Sequence, residues 1–452
     1  MTIIRQPSLF SIQELYDMEP TQKYEAIISA INLDLIYYEV MKKSRLGAPE
    51  ELNHPAMIIS LFIRHVERIP TIKDLTKRLK SDIAFRINCG FLVSDRIPSE
   101  ASYSRLIDKL EESNVLEQAQ EKVIKQAIRE GFITDDTIAI DATHFEARDQ
   151  SPINIEKEKS EPKKRGRKSK EERDQWLKKK AEREANLPLY KRKIEDQLTA
   201  TLSELRNGVP NNPQWGIKKN SEGKNVFWYG YKGHLAVGST SQYILQSLFS
   251  SGNLNDGKAA IPLLKGLHER LSLDTIRYQT MDAGYDYEPI YKQVYQMGQQ
   301  SVIAYNRRNE SESIGFDKHF APTCLREHSY RYDSYDAKYE TLKYTHPTEC
   351  GNCPLAQEGI CQKVFKMKIT KNLRRYTAPA RGSIAWKKLF KKRTAVERVN
   401  GYLKEFFQLN NVRYRTGKRA KVHFDIVTLI YNASKLAVDR INAGLIQQFQ
   451  VA

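Results

Sequence analysis

Three carboxylates mark the places where this 452-residue chain could do chemistry. Asp141 closes the β-branched run of DTIAIDATHF (136–145), Asp282 stands in IRYQTMDAGYD (276–286), and Glu397 lies within KKRTAVERVNGYLK (391–404). Carboxylates from separate elements make the oxygen-rich, anionic set that holds hard divalent cations. Two such ions can activate a nucleophilic oxygen and stabilise a leaving one in phosphoryl transfer. The surroundings of Glu397 point the same way. From Lys363 to Lys421 there are 19 Lys/Arg against 2 Asp/Glu, a balance of +17, in a chain whose whole net charge is +18. Such a concentration attracts phosphate chains. Cations alone do not cleave a phosphodiester, so a carboxylate among them reads as a metal ligand. On one continuous helix, Phe390, Arg393, Glu397 and Lys404 would share a narrow stripe. Each acid has a plain reading as well. Glu397 suits an i,i+4 pair with Arg393, worth about 0.2–0.5 kcal/mol, and Asp141 and Asp282 suit strand-end or turn acids. The three together, in this order of elements, point to a site.

Other groups carry weaker signals. Cys350-x2-Cys353-x7-Cys361, with Cys324 or His346 nearby, has the thiolate density of a tetrahedral structural zinc site, or of free thiols in an irregular insert. KKRGRKS (163–169) has the form of a minor-groove arginine hook at Arg165-Gly166-Arg167, within a basic linker that explains it equally well. Trp215, Trp228 and Trp386 suit stacking on an exposed base but read first as packing. His144, three residues past Asp141, reads as a structural histidine near the site.

These groups need elements to hold them. Apolar residues at helical spacing in 54–67 and 103–128 predict a helical segment over 1–130, its long second helix capped by Ser102 or Ser104. From 136 the texture turns to strands: one ending at Asp141, then 225–238 and 243–252, a strand ending at Asp282 before a tight Gly turn within 276–286, and 301–306, with helices over 255–271 and 287–298. Early strands can form an antiparallel meander. Later ones, joined by helices, can add in parallel through right-handed crossovers. A mixed sheet with flanking helices follows, over 131–452, with insertions at 150–215 and 307–383. In the first, Glu156–Lys193 holds 16 Lys/Arg and 8 Asp/Glu, too polar to bury a core, hence a linker or a solvated helix pair. Residues 423–441 predict a closing amphipathic helix.

IAIDATHFEA, YQTMDAGYD and FKKRTAVERVNGYLK resemble the three catalytic blocks of insertion-sequence DDE transposases. They are similar to the group marked by a Tyr-x2-Arg-x3-Glu-x6-Lys signature. Here the signature runs Phe390-x2-Arg393-x3-Glu397-x6-Lys404, with every spacing kept and Phe in place of Tyr. The segment from HPAMIISLFI to IPSEASYSRLIDKL looks like the helical leader of such enzymes. The resemblance implies a ribonuclease-H-like α/β fold, magnesium or manganese on Asp141, Asp282 and Glu397, and DNA contacts by Arg393 and Lys404 near the cut. The basic tract itself adds Arg413, Arg415, Lys418 and Arg419 as contacts to flanking backbone. The expected partners are transposon ends and target DNA, and pairing two ends implies a homodimer. Two other readings stay open: a nuclease of the same fold without strand transfer, and a catalytically silent, transposon-derived DNA-binding protein.

The remaining composition bounds the setting. There is no charged n-region followed by an apolar h-region at the start, and no run of about 18 apolar residues, so neither a signal peptide nor a membrane span is read. Five cysteines, four of them within 324–361, do not form a secreted disulfide framework. A reducing, cytoplasmic setting on the nucleoid is expected.

Overall fold

The computed structural model describes residues 11–41, 51–152, 169–219, 222–271, 274–311 and 313–444. The Arg165-Gly166-Arg167 motif lies outside them.

The chain starts with helices α1 (Ile12–Asp17), α2 (Pro20–Ile28), α3 (Leu33–Val40), α4 (His54–Val66), α5 (Ile72–Ser81), α6 (Ile83–Asn88), α7 (Glu100–Glu111) and α8 (Val115–Arg129). The single helix expected over 103–128 is two, because the chain breaks at Ser113-Asn114. The cap of α7 is Ser99, which accepts a hydrogen bond from the Ser102 amide, not Ser102 or Ser104.

The main sheet is built from β1 (Thr137–Glu146), β2 (Gln214–Lys219), β3 (Asn225–Gly238), β4 (Ile244–Ser251), β5 (Tyr278–Met281) and β6 (Gln300–Ile303). β1 pairs antiparallel with β3, and β3 antiparallel with both β2 and β4. β5 joins β1 in parallel, and β6 joins β5 in parallel. The crossovers run through α11 (Asp256–Arg270) and α12 (Glu288–Gln296). Between β1 and β2 lie α9 (Lys170–Ala185), a solvated helix as its composition requires, and the short α10 (Leu202–Asn207). β2 itself was not expected from the sequence. Asp141 does not end its strand: β1 runs on to Glu146 because β3 keeps pairing with it as far as Gly230.

The segment 307–383 is not irregular throughout. It holds an antiparallel sheet, β7 (Arg331–Asp336), β8 (Thr341–Thr345) and β9 (Val364–Lys368), with the short α13 (Pro354–Gln357). Its small core includes Tyr330, Leu342, Tyr344, Met367 and Ile369, separate from the main one. The chain closes with α14 (Ile384–Lys391), α15 (Thr394–Glu405) and α16 (Gly417–Asn442).

α16 is buried nearly all round, with polar side chains such as Asp425, Thr428 and Asn432 among its apolar ones. It packs against α8, α7, α2 and β4 at once, so the leading helices and the sheet share one core. Two devices fix it. The Asn432 side chain accepts from the Ile244 amide (3.0 Å) and donates to the Ile244 carbonyl (2.9 Å). The Phe424 ring fits because residue 233 is glycine: a Cβ there would lie 2.4 Å from it.

Candidate active site

The register of the sheet brings the first two carboxylates together. β1 and β5 are parallel neighbours with Thr137 opposite Tyr278 and Ala139 opposite Thr280. Two residues further the same register sets Asp141 level with Asp282, one strand spacing away. Asp282 directly follows β5, its carboxylate accepting from the Gly284 amide at 2.8 Å. Asp141 accepts from the Ala142 amide at 2.8 Å. Burial pushes the Asp141 carboxyl up, and Asp282 beside it adds to the shift, to about 7. Burial raises Asp282 in the same direction. These carboxylates are short of positive charge.

Glu397 projects from α15, which packs across β1 and β3. Its partner is Arg393: the guanidinium lies 2.8 Å from Glu397, 4.0 Å from Asp141, and 5.7 Å from the centre of the Phe390 ring. The stripe is therefore not on one continuous helix. α14 ends at Lys391, Arg393 caps α15, and Phe390, stacked on Trp386 at 4.7 Å, belongs to the preceding helix. The i,i+4 pair expected of a plain surface glutamate is present, and the same arginine bridges towards Asp141.

Two neighbours carried no signal in the sequence. Asp256, the first residue of α11, bonds Lys232 at 2.8 Å, and its charge reaches both Asp141 and Asp282. After Asn255 it reads as an ordinary helix-start acid. Tyr285 is fully buried beside Asp256, Asp141 and Asp282, and its hydroxyl has no hydrogen-bond partner among the described residues. Only its place in the AGYD turn could have suggested it.

His144 stands three residues along β1 from Asp141 and so faces the other side of the sheet. Its ring lies 4.5 Å from that of Trp228, and Lys218 approaches its Nδ1 at 3.4 Å. Burial, with Lys404, Lys218 and Lys232 near, lowers it to about 4, so it is neutral. Lys404 is half-buried, and burial together with Lys218 lowers its ammonium. Of the distal cations, Arg413 and Arg415 are exposed, Lys418 is loosely 3.8 Å from Glu111, and Arg419 is tied to Asp108 at 2.8 Å.

The four cysteines of the insertion converge. All are unpaired. Burial raises the Cys350 thiol, and Cys324, Cys353 and Cys361 beside it add to that. Amides at the start of α13 lower Cys353. Cys324 supplies the fourth thiol, whereas His346 is exposed.

Among the described residues, no three His, Cys, Asp or Glu side chains already stand as a metal-holding group. The donor chemistry of Asp141 and Asp282 fits a hard divalent cation, since two half-buried carboxylates side by side lack compensating charge. Glu397 completes the set only on leaving Arg393.

A mixed sheet that carries adjacent aspartates on parallel strands, with a helix across it that presents Arg393 and Glu397, has the donor set of an enzyme that holds hard cations. Residues 133–433 match the family of the transposase DDE domain, and residues 13–109 match a transposase domain family, DUF772. The chain belongs to the DDE transposase family of insertion sequences. No curated protein matches it. No helix among the described residues is long and apolar enough to cross a membrane.

Proposed function

We propose that this transposase binds the terminal inverted repeats of its own element, hydrolyses the phosphodiester at each 3′ end, and joins the freed 3′-OH to target DNA. The level pair Asp141 and Asp282, half-buried and short of cations, carries the reading. The strand order, an antiparallel β1–β3–β4 meander extended in parallel by β5 and β6, supports a ribonuclease-H-like sheet.

Asp141, Asp282 and Glu397 would hold magnesium or manganese, which when bound supplies the positive charge that activates the attacking oxygen and stabilises the leaving one. The chain's own residues prepare that arrangement. Asp141 gives up the proton that burial leaves on its carboxyl at neutral pH. Arg393, resting on Phe390, exchanges Glu397 for a phosphate oxygen and so frees the carboxylate as DNA arrives. Lys404, on the same helix, neutralises a neighbouring phosphate. Arg413, Arg415 and Lys418 meet flanking backbone, while Arg419 is held by Asp108. The helical segment 1–130 serves DNA-end binding or dimerisation, the partner copy being needed to pair two ends, in the cytoplasm on the nucleoid. Cys324, Cys350, Cys353 and Cys361 hold a structural zinc in the insertion.

The DNA flanking the gene supplies the substrate. With a duplex ending in those repeats and magnesium, Asp282→Asn should slow cleavage by about 10³-fold while leaving binding intact. Near-normal cleavage by that variant sinks the assignment, and cleavage without joined product identifies a nuclease instead. For the thiol cluster, metal analysis of protein purified without added metal should give about one zinc per chain. Four freely titrating thiols in the native state would refute it.

A further inference from the structure

The three tryptophans open to base stacking separate in the structure. Trp228 and Trp386 are buried, and Trp215 is exposed. Trp215 lies on β2, which pairs with residues 225–230 of β3 to form a two-stranded ribbon. The register sets Trp215 opposite Tyr229 and Ile217 opposite Phe227. Opposite residues share a face, so these four side chains form one apolar face. Trp215 is 52% exposed, Ile217 59% and Phe227 57%. The ring of Trp215 lies 5.6 Å from that of Tyr229. The ribbon's other face is the anchored one. Trp228 packs over Gly216, where a Cβ would lie 2.2 Å from the indole, and over His144. Apolar residues left in solvent on a pinned ribbon mark a contact surface.

The ribbon's charge selects the occupant. Lys219 shares the face of Trp215 and Ile217, Lys218 stands on the opposite face, and Lys224, at the turn, pairs with the single acid Glu222. Lys218 also connects it, through His144 and Lys404, to the helix of Glu397. A second copy of the chain would bring lysines against lysines, on a protein of net charge +18. Aromatic rings among lysines are what unpaired nucleotides require: stacking for the base and cations for the phosphate.

We propose that the exposed face of the β2–β3 ribbon, centred on Trp215 and Phe227, is a single-strand binding platform on which unpaired bases next to the cleaved end stack. The proposal rests on the DNA-transposase reading and specifies where a non-duplex nucleotide goes.

The test uses the full chain with a twelve-residue oligothymidylate and, separately, a twelve-base-pair blunt duplex of arbitrary sequence. Both side chains are exposed, so Trp215→Ala/Phe227→Ala should fold. It should bind oligothymidylate about tenfold or more weakly, with duplex affinity within about twofold. Trp215→Phe keeps a ring and should keep most of the affinity. Trp176→Ala, at another exposed tryptophan, should change nothing. Unchanged oligothymidylate binding by the double variant overturns the proposal, as does an equal loss on duplex, which would reveal a merely electrostatic surface. A change in oligomeric state in the double variant would assign the face to a second copy instead. Failure of the wild-type protein to cut its own repeats would sink the functional reading, whereas these outcomes bear on the ribbon alone.

Discussion

Two half-buried acid clusters in this molecule are built in opposite ways. In one, Glu117 of α8 lies among Arg206, Arg270, Lys421 and Asp425, which link α8, α10, α11 and α16 around a cavity of about 440 Å³. Burial alone would push Glu117 up, yet Lys421 and Arg206 beside it pull it down to about 2. In the other, Asp141 has Asp282 for a neighbour and Arg393 only at 4.0 Å, and it rises to about 7. Burial raises Asp425 in the first cluster despite Lys421 beside it, so the contrast is between Glu117, compensated by the cations that join its helices, and Asp141, left uncompensated where a ligand is to arrive. Perturbed acids of the second kind cluster at functional sites. The buried Tyr285 hydroxyl, without a partner among the described residues, belongs to the same side of the contrast.

Removing one acid from each cluster sharpens this. Glu117→Gln removes the carboxylate shared by three cations, of which Lys421 keeps Asp425 and Arg270 keeps Glu121, so it should cost about 1–3 kcal/mol at pH 7, read as a fall in the urea midpoint. The sign with pH follows from the depressed carboxyl: its contribution is present above the usual glutamate range and lost as pH falls through about 2. Asp141→Asn should act the other way in the metal-free protein. A raised carboxyl favours the fold below its unfolded value, and that contribution is lost as pH rises through about 7. The variant should therefore match wild type near pH 4 and exceed it by roughly 2–3 kcal/mol at pH 8. Added manganese should stabilise the wild type more at pH 8 than at pH 5.5 and leave the variant unmoved. An Asp141→Asn protein destabilised at pH 8 would abolish the contrast.

The difference between the clusters also explains what the sequence could disclose. Asp141, Asp282 and Glu397 were legible because each sits in a block whose local pattern is distinctive, and β3 was legible to the residue because its aromatic and apolar run is long. The run past Asp141 to Glu146 was hidden because a strand's end is set by its neighbour's pairing, here β3. The break between α14 and α15 escaped for a related reason. KKLFKKRTAVERV has helical composition throughout, and the turn at Lys392–Arg393 carries neither Gly nor Pro. Asp256 and the Glu117 network are products of tertiary packing, joining residues as far apart as Glu117 and Lys421, and no local spacing reports them. β2 was hidden because QWGIKK exposes nearly every side chain, so burial left no period in it.

The smallest expected effect lies at the edge of the catalytic region, where the basic tract leaves the sheet. Arg413, Arg415 and Lys418 are exposed, and they are the cations free to meet a phosphate backbone. Arg419 is different, because its guanidinium bonds Asp108 of α7 and so fastens the start of α16 to the leading helices. The two groups should separate by measurement. Each phosphate that the protein no longer neutralises lowers the slope of log K against log salt by about 0.9 on duplex DNA. Replacing Arg413, Arg415 and Lys418 with Ala should weaken binding to every sequence and flatten that slope by roughly 1–3 units, since each cation neutralises at most one phosphate. Arg419→Ala should leave the slope nearly unchanged and lower stability by about 0.5–1 kcal/mol, the usual worth of a partly exposed pair. Cleavage rates at saturating DNA should hold in both, because neither group reaches Asp141 or Asp282. An unaltered slope in the triple variant would move the DNA path off this edge, onto the charged segment around α9, and would make the compensated and uncompensated acids the only functional distinction left on this side of the molecule.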